Sequence, residues 1–321
     1  MADRPTVLQH AAPSDAVSAD AMLADAVLAD ARQVAARRAE RAGIRIAALD
    51  DLADLERACR LLDEVWQTRP GDPSEMQPPL LRALRHSGSY VVGAWSGPDL
   101  VAASVGFFGA PSTSSLHSHI TGVLTDRSGR GVGAAVKWHQ RAWTLAAGAR
   151  WVTWTFDPLI ARNAHFNLHR LRATAVEYLT DFYGTMTDGR NAGQPSDRLL
   201  AHWDLRSPAV ASAGRGTDPV HPGDPDPGSG TAPPRAVPVL VDEGGRPVAR
   251  PATDAEVVSV AVPDDVEALR GADPATALRW RLAVRETVAP LLAAGWSVVG
   301  FRRPEGYLVA RPPGGTRGRD R

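Results

Sequence analysis

The sequence holds one cysteine, Cys59, in 321 residues, so no disulfide can form within the chain. Cys59 lies beside Leu61 and Leu62 in an apolar helical pattern, where a small buried hydrophobe fits better than a nucleophile. An excess of either charge is also missing. Lys+Arg and Asp+Glu both number 36, which removes the electrostatic case for nucleic acid as a partner. No apolar run approaches the roughly 18 residues of a membrane span. The N-terminus carries acids and alanines where a signal peptide would place a basic start and an apolar stretch. A cytoplasmic protein with no membrane partner is the expectation. Gly-x-Ser-x-Gly is absent, as is the Gly-Lys-Ser/Thr of a P-loop, so serine-hydrolase and P-loop readings lack their chemistry. His165 and His169 have an i,i+4 spacing that could grip zinc, but no third ligand or HExxH glutamate accompanies them, and no metal is expected.

What is present divides into five stretches. Residues 1–43 are Ala-rich and favour a helical or flexible segment, with Met22, Val27 and Val34 as a thin apolar stripe. Residues 44–206 alternate strand and helix patterns. A strand at 44–49 leads to a helix capped by Asp50 or Asp51, with Leu55, Ala58, Leu62 and Val65 on one face. A short helix at 79–86 and a hairpin at 90–95 and 100–107 follow. Then come a strand at 116–124, a helix at 131–147 and a strand at 151–156. Asp157-Pro158 reads as the start of a helix reaching 171, and strands at 174–179 and 199–205 end the block. Residues 207–235 are Pro, Gly, Ser, Ala and Asp with almost no large apolar side chain, the composition of a disordered linker. Residues 236–311 form a C-terminal α/β extension, with a strand at 257–262, a helix from Asp273-Pro274 and a closing hairpin. It is too small for much independent stability and is expected to pack on the first block. A flexible basic tail, 312–321, ends the chain.

The central motif is Val123-Leu-Thr-Asp-Arg-Ser-Gly-Arg-Gly-Val-Gly-Ala134, set between a strand and a helix. Its glycines let the backbone turn sharply and present successive N–H groups at a helix N-terminus, which predicts an anion such as a pyrophosphate. Two cofactor classes compete for it. Gly129, Gly131 and Ala134 fit the dinucleotide spacing G-x-G-x-x-G/A. There, however, the first glycine follows the strand almost directly, whereas here Thr125-Asp-Arg-Ser128 intervenes.

The same turn resembles the acyl-CoA signature Q/R-x-x-G-x-G/A of the GNAT N-acyltransferases. Gly131 and Gly133 occupy its two small positions, and Ser128 stands where the family has Gln or Arg, flanked by Arg127 and Arg130. The order of elements over 44–206 resembles the same family. Trp154-Thr-Phe-Asp-Pro-Leu159, Asn163-Ala-x-Phe-Asn-Leu168, Asp181-Phe-Tyr-Gly184, Asn191-Ala-Gly193, Ser196-Asp-Arg198 and Ala277-Leu-Arg-Trp-Arg281 are similar to a subgroup of predicted acetyltransferases within it. The resemblance implies a mixed, mostly antiparallel sheet flanked by helices. It further implies acetyl-CoA or another acyl-CoA as co-substrate, with Val123, Leu124, Ser128, Gly129, Arg130, Gly131, Val132, Gly133 and Ala134 holding it. The pantetheine would lie between the strands 116–124 and 151–156. A small amine is the implied acceptor, and a homodimer stays open.

The resemblance also implies a general base about four residues before Val123, which is His119. A histidine suits proton removal near neutral pH. His117 and Thr121 alternate onto the same face by strand periodicity, making it polar, and His117 is a substrate-binding candidate. The family's tyrosine acid falls on Leu168 and the glycine four residues later on Arg172. Tyr183 is therefore the candidate acid, with Tyr178 behind it. Asn163 and Asn167 are candidate cofactor contacts on one helix face. Asp157 and Arg198 are candidate substrate contacts; the alternatives are a helix cap for Asp157 and a surface ion pair for Arg198. With the family's acid missing, a non-catalytic acyl-CoA-binding module is the leading alternative, and a dinucleotide oxidoreductase the remoter one.

Overall fold

The computed structural model describes residues 15–184, 186, 193–216, 236–251 and 254–311. The N-terminal 14 residues, most of the expected linker (217–235) and the tail 312–321 lie outside the described residues. Helix α1 (Asp15–Arg41) precedes strand β1 (Arg45–Ala48), α2 (Leu52–Trp66) and α3 (Pro78–His86). Strands β2 (Tyr90–Ser96), β3 (Asp99–Phe108) and β4 (Ser115–Val123) meander, α4 (Val132–Ala146) crosses over, and β5 (Trp151–Phe156) returns. A helical segment, β6 (Thr174–Leu179), β7 (Arg198–Asp204) and α6 (Pro208–Arg215) follow. The extension comprises β8 (Val237–Glu243), β9 (Arg246–Ala249), β10 (Val257–Val260), α7 (Val266–Ala272), α8 (Pro274–Ala293), β11 (Ser297–Arg302) and β12 (Gly306–Ala310).

The twelve strands of the described residues form one sheet in the order β1-β2-β3-β4-β5-β7-β6-β11-β12-β10-β8-β9. Among their pairings only β4–β5 and β8–β10 are parallel. The extension joins the sheet through Val298 opposite Ala175. Its apolar residues share a core with the first block: Trp154, Phe156 and Trp203 belong to one buried cluster with Trp280, Val284, Val288 and Phe301. A body of that size gains stability by adding to a neighbour's core rather than building its own.

Local chemistry explains most boundaries. Asp51 caps α2 by accepting from Ala53 N at 2.7 Å, and Asp273 caps α8 by accepting from Thr276 N at 3.0 Å, with Pro274 at the first helical position. Three differences from the sequence reading have physical causes. The linker was expected to begin at 207, yet Pro208–Arg215 is helical because α1 supplies the surface it lacked. Arg38 donates to the carbonyls of Ala213 and Gly214 at 3.1 Å, and Gly214 packs on Trp138 and Val34. The expected helix after Asp157-Pro158 starts late. Its short α-helical part, α5, covers Ala161–Ala164 and passes into a π-helical stretch over His165–Arg170, where Leu171 N reaches Phe166 O. The expected face of Asn163 and Asn167 is thus wound more widely than four-residue spacing assumes. In α1, Val34 is buried and Met22 is 70% exposed, so the anticipated stripe operates only in the C-terminal half of the helix.

Candidate active site

Strands β4 and β5 pair only over Ser115–His117 and Trp151–Thr153 and then part. The glycine turn sits beyond their separation. Thr125–Arg127 makes a single tight turn, Gly131 caps α4 in the left-handed conformation (φ 86°), and Ala135 N donates to Gly131 O as the first rung of the helix. The N–H groups of Val132, Gly133 and Ala134 precede that ladder and point at the turn, the arrangement that binds anions. Gly131 and Gly133 differ in what they require. At Gly131 the backbone is one that side-chain-bearing residues adopt only under strain. A Cβ on Gly133 would meet only Val123 Cγ2, at an ordinary 3.7 Å. Gly131→Val is therefore expected to weaken binding of an anionic ligand at the turn, with CoA as the probe, about tenfold, the equivalent of about 1.4 kcal/mol. Gly133→Ala should leave the melting temperature unchanged. Titration calorimetry and thermal unfolding check the pair, and equal effects at both positions would count against this account.

The turn opens into a cavity of about 940 Å³ that runs between β4 and β5 toward the extension. Val123, Ser128, Gly133, Asn163, Asn167, His119, Tyr183, Asp157 and Arg198 line it, along with Lys137, Trp154, Glu267 and Arg270. Gly129, Arg130 and Gly131 lie exposed in the turn itself. Val132 turns its side chain into the core, Leu124 packs on the α2 cluster and Ala134 on the main core, so these three offer a ligand their backbone only.

The polar face expected on β4 is rearranged by a bulge. Val105 pairs with Ile120 and Gly106 with Ser118, leaving His119 as the extra residue. Gly106 permits it, since a Cβ there would lie 2.9 Å from His117 O. The bulge breaks strict alternation. His117 and His119 both approach Phe107, with ring centroids at 5.4 and 5.7 Å, whereas Thr121 turns to the other side and bonds Ser104 at 2.8 Å. His119 is exposed at the cavity wall. Desolvation by its protein neighbours lowers its pKa, so it is neutral and able to accept a proton at neutral pH. His117, the other candidate, does not line the cavity. It is bonded through Nδ1 to Thr153 Oγ1 at 3.2 Å, and burial, His119 and Lys137 push its pKa down to about 4. It ties β4 to β5.

Asp157, at the cavity wall, is held by two arginines of the extension. One oxygen accepts from Leu159 N at 2.8 Å, and both are gripped by the Arg281 fork at 2.7 and 2.8 Å, with Arg270 adding a contact at 2.7 Å. Burial would raise its pKa, but Arg281 and Arg270 outweigh that and hold the carboxyl well below the usual range. One turn along α8, Arg285 forks onto Asp197 at 2.9 and 2.6 Å. Tyr178 donates to Asp197 at 2.7 Å, and burial with that carboxylate drives its pKa upward, so Tyr178 is held as a donor to Asp197. Arg198 bonds the Asp197 carbonyl at 2.9 Å and stacks 5.3 Å from the Tyr183 ring, instead of pairing with the Asp197 carboxylate. Tyr183 is 41% exposed, its hydroxyl bonded to Thr155 on β5 at 2.9 Å. Leu168 is buried in the core, and Arg172 takes a left-handed φ of 58°. His165 and His169 stack at 4.6 Å, and the described residues contain no group of three or more candidate metal ligands.

Two features of the site escaped the sequence reading. Lys137 is buried in the cavity wall, donating to Ser118 Oγ at 2.9 Å and Gln140 Oε1 at 3.1 Å, 4.0 Å from the Trp154 ring centroid. Lys137, Gln140, Arg141 and Thr144 follow helical spacing and look like a solvated face, but all four are buried. Helix α1 covers part of that face, where its Asp30 pairs with Arg141. The second feature is the extension itself, whose α7 brings Glu267 and Arg270 to the cavity. Its packing on the first block was expected; the reach of α7 to the cavity was not.

No family model and no curated protein matches the chain. Similar solved structures include the ribosomal-protein-S18-alanine N-acetyltransferase of Escherichia coli, at 14% identity over 50% of this chain and 94% of that one, with a TM-score of 0.41. Mycobacterium smegmatis RimJ in complex with CoA-disulfide is similar at 15% identity over 54% and 88%, TM-score 0.43. Salmonella typhimurium yncA, solved with its cofactor acetyl-CoA, is similar at 12% identity over 51% and 94%, TM-score 0.42. The doubly wound parallel sheet of a dinucleotide-binding domain is not what surrounds the glycine turn, because the neighbouring β2, β3 and β4 pair antiparallel. A mixed sheet parting between β4 and β5, a bulge in β4, and a glycine turn feeding α4 together make up the helix-flanked sheet that surrounds the cavity.

Proposed function

We propose that the protein is an acyl-CoA-dependent N-acyltransferase acting on a small amine that carries a carboxylate, such as an amino acid. The observation that carries this reading is the single cavity joining the glycine turn, the gap between β4 and β5, and His119. The exposed amides of the turn and the α4 N-terminus would hold the CoA pyrophosphate, with Ser128, Asn163 and Asn167 alongside. The amine nitrogen attacks the thioester carbon, the C–S bond breaks, and CoA leaves as thiolate. His119, neutral at working pH, takes the proton that the amine must lose. Tyr183, hydrogen-bonded to Thr155, is the group we assign to returning a proton to the thiolate. At the far end three guanidinium groups, Arg198, Arg270 and Arg281, surround the Asp157 carboxylate. That field favours an anionic substituent on the acceptor.

The test is a thiol-release screen pairing several acyl-CoAs with amino acids and with the same amines lacking the carboxylate. Turnover at least tenfold faster with the amino acids is expected. Equal rates would remove the acceptor assignment. Tight CoA binding with no turnover for any pair would favour a non-catalytic acyl-CoA-binding module.

A further inference from the structure

The proposed reaction gives Lys137 no task, yet the residue is expensive to keep. Its ammonium is buried against a hydroxyl, an amide oxygen and an indole face, all of them neutral. Among the described residues no carboxylate pairs with it. Burial pushes its pKa down to about 7, so loss of hydration is felt without an opposing charge to offset it. Among the titratable groups His117 lies near enough for Lys137 to help push its pKa down. This end of the cavity is therefore positive or neutral. A scaffold that only needed to fasten α4 to β4 would do so more cheaply with a glutamine or a methionine.

Its position says which ligand group would meet it. Lys137 is bonded to Ser118, five residues before Val123 on β4. Past the bulge β3 takes only four steps, Gly106 to Ala102, so at roughly 3.3 Å per residue Ser118 lies about 13 Å along the sheet from Val123, within reach of a pantetheine arm. Ser118 neighbours the bulged His119 but points toward α4, so Lys137 lies behind the strand from the base. The acceptor end, by contrast, is marked by Tyr183 and Arg198. A group passing the thioester carbon toward α4 is the acyl chain of the donor.

We propose that Lys137 selects the acyl donor: the cavity takes acyl-CoAs whose acyl group ends in a carboxylate, a succinyl-type chain, and that carboxylate pairs with the Lys137 ammonium. This rests on the acyltransferase reading. The transfer is then the same displacement. The amine nitrogen bonds to the thioester carbon, the C–S bond breaks, the amine proton passes to His119, and CoA leaves with the electron pair. The product is an amide with a free terminal carboxylate.

The experiment measures binding of CoA, butyryl-CoA and succinyl-CoA to the full-length protein by titration calorimetry, which needs no acceptor. The two acyl chains have equal carbon number and differ in the terminal charge. Succinyl-CoA is expected to bind about tenfold or more tightly than butyryl-CoA, the range of a charge-assisted hydrogen bond. Lys137→Met should erase that preference while still binding butyryl-CoA, and Lys137→Arg should keep it. Equal affinities in the wild type, or a preference that survives in Lys137→Met, would overturn the donor assignment alone. Failure of all three ligands to bind would overturn the acyltransferase reading, and this inference with it. Should Lys137→Met not fold, the wild-type comparison and Lys137→Arg decide the matter.

Discussion

Replacing Arg281 with methionine is expected to destabilise the protein by about 3–5 kcal/mol, the range for breaking a buried ion pair by removing one partner. Methionine roughly fills the volume, so the loss comes from charge. Asp157 is 7% exposed and Arg281 1% exposed, and their two hydrogen bonds, at 2.7 and 2.8 Å, are parallel. Without the fork the carboxylate keeps only Leu159 N and Arg270. For a chain of this size the change corresponds to a fall in melting temperature on the order of 10 °C. Arg285→Met should cost less. Arg285 is 25% exposed, and Asp197 retains Tyr178 and the Asp181 amide. Thermal unfolding of the two variants checks the ranking, and an Arg281→Met loss under 1 kcal/mol would refute the clamp. The pair also sets an acid limit. Folding lowers the Asp157 pKa, so the unfolded chain takes up that proton first as pH falls. The contribution is intact above about pH 4 and is lost progressively below it. Urea midpoints measured between pH 3 and 6 should decline at the acid end in the wild type and decline less in Arg281→Met.

His119→Ala is expected to lower kcat by about a hundredfold or more, within the range general-base catalysis supplies. CoA affinity should hold, because His119 stands apart from the glycine turn along β4. The pH profile separates a base from a packing residue. Desolvation moves the His119 pKa below its ordinary 6.5, so the wild-type rate should be flat at neutral pH and fall only at a pH below that value. In His119→Ala this acid limb should vanish. A variant with full rate and an unchanged profile would sink the assignment. His117→Ala makes the control. That ring bonds Thr153 outside the cavity, and the expected effect is a modest loss of stability with the pH limb retained.

Local signals placed the glycine turn, the strand before it and the helix after it, because each depends on neighbours in sequence. Gly131 must be glycine for its own φ, and Asp51 and Asp273 cap helices three residues away or nearer. The candidacy of His119 came instead from the family resemblance, counted back from Val123. Misreadings arose wherever a distant segment supplied the deciding partner. Thr121 left the histidine face because the pairing of β3 with β4 forces a bulge, and no single strand encodes that. The polar residues Gln140, Arg141 and Thr144 look solvated until the tertiary fold buries them, and Pro208–Arg215 looks like linker until α1 offers it a surface.

The sequence by itself determined the glycine turn and the order of elements over 44–206, since these rest on backbone conformation and short-range periodicity; His119 as candidate base came from the family resemblance. Only the tertiary structure decided that Asp157 is an anchor for α8 and that the extension walls the cavity. It alone also left Lys137 as a buried cation. Each of those facts is a matter of which polar groups are brought together away from water, by residues from 19 positions apart, as with Lys137 and Ser118, to 124, as with Asp157 and Arg281.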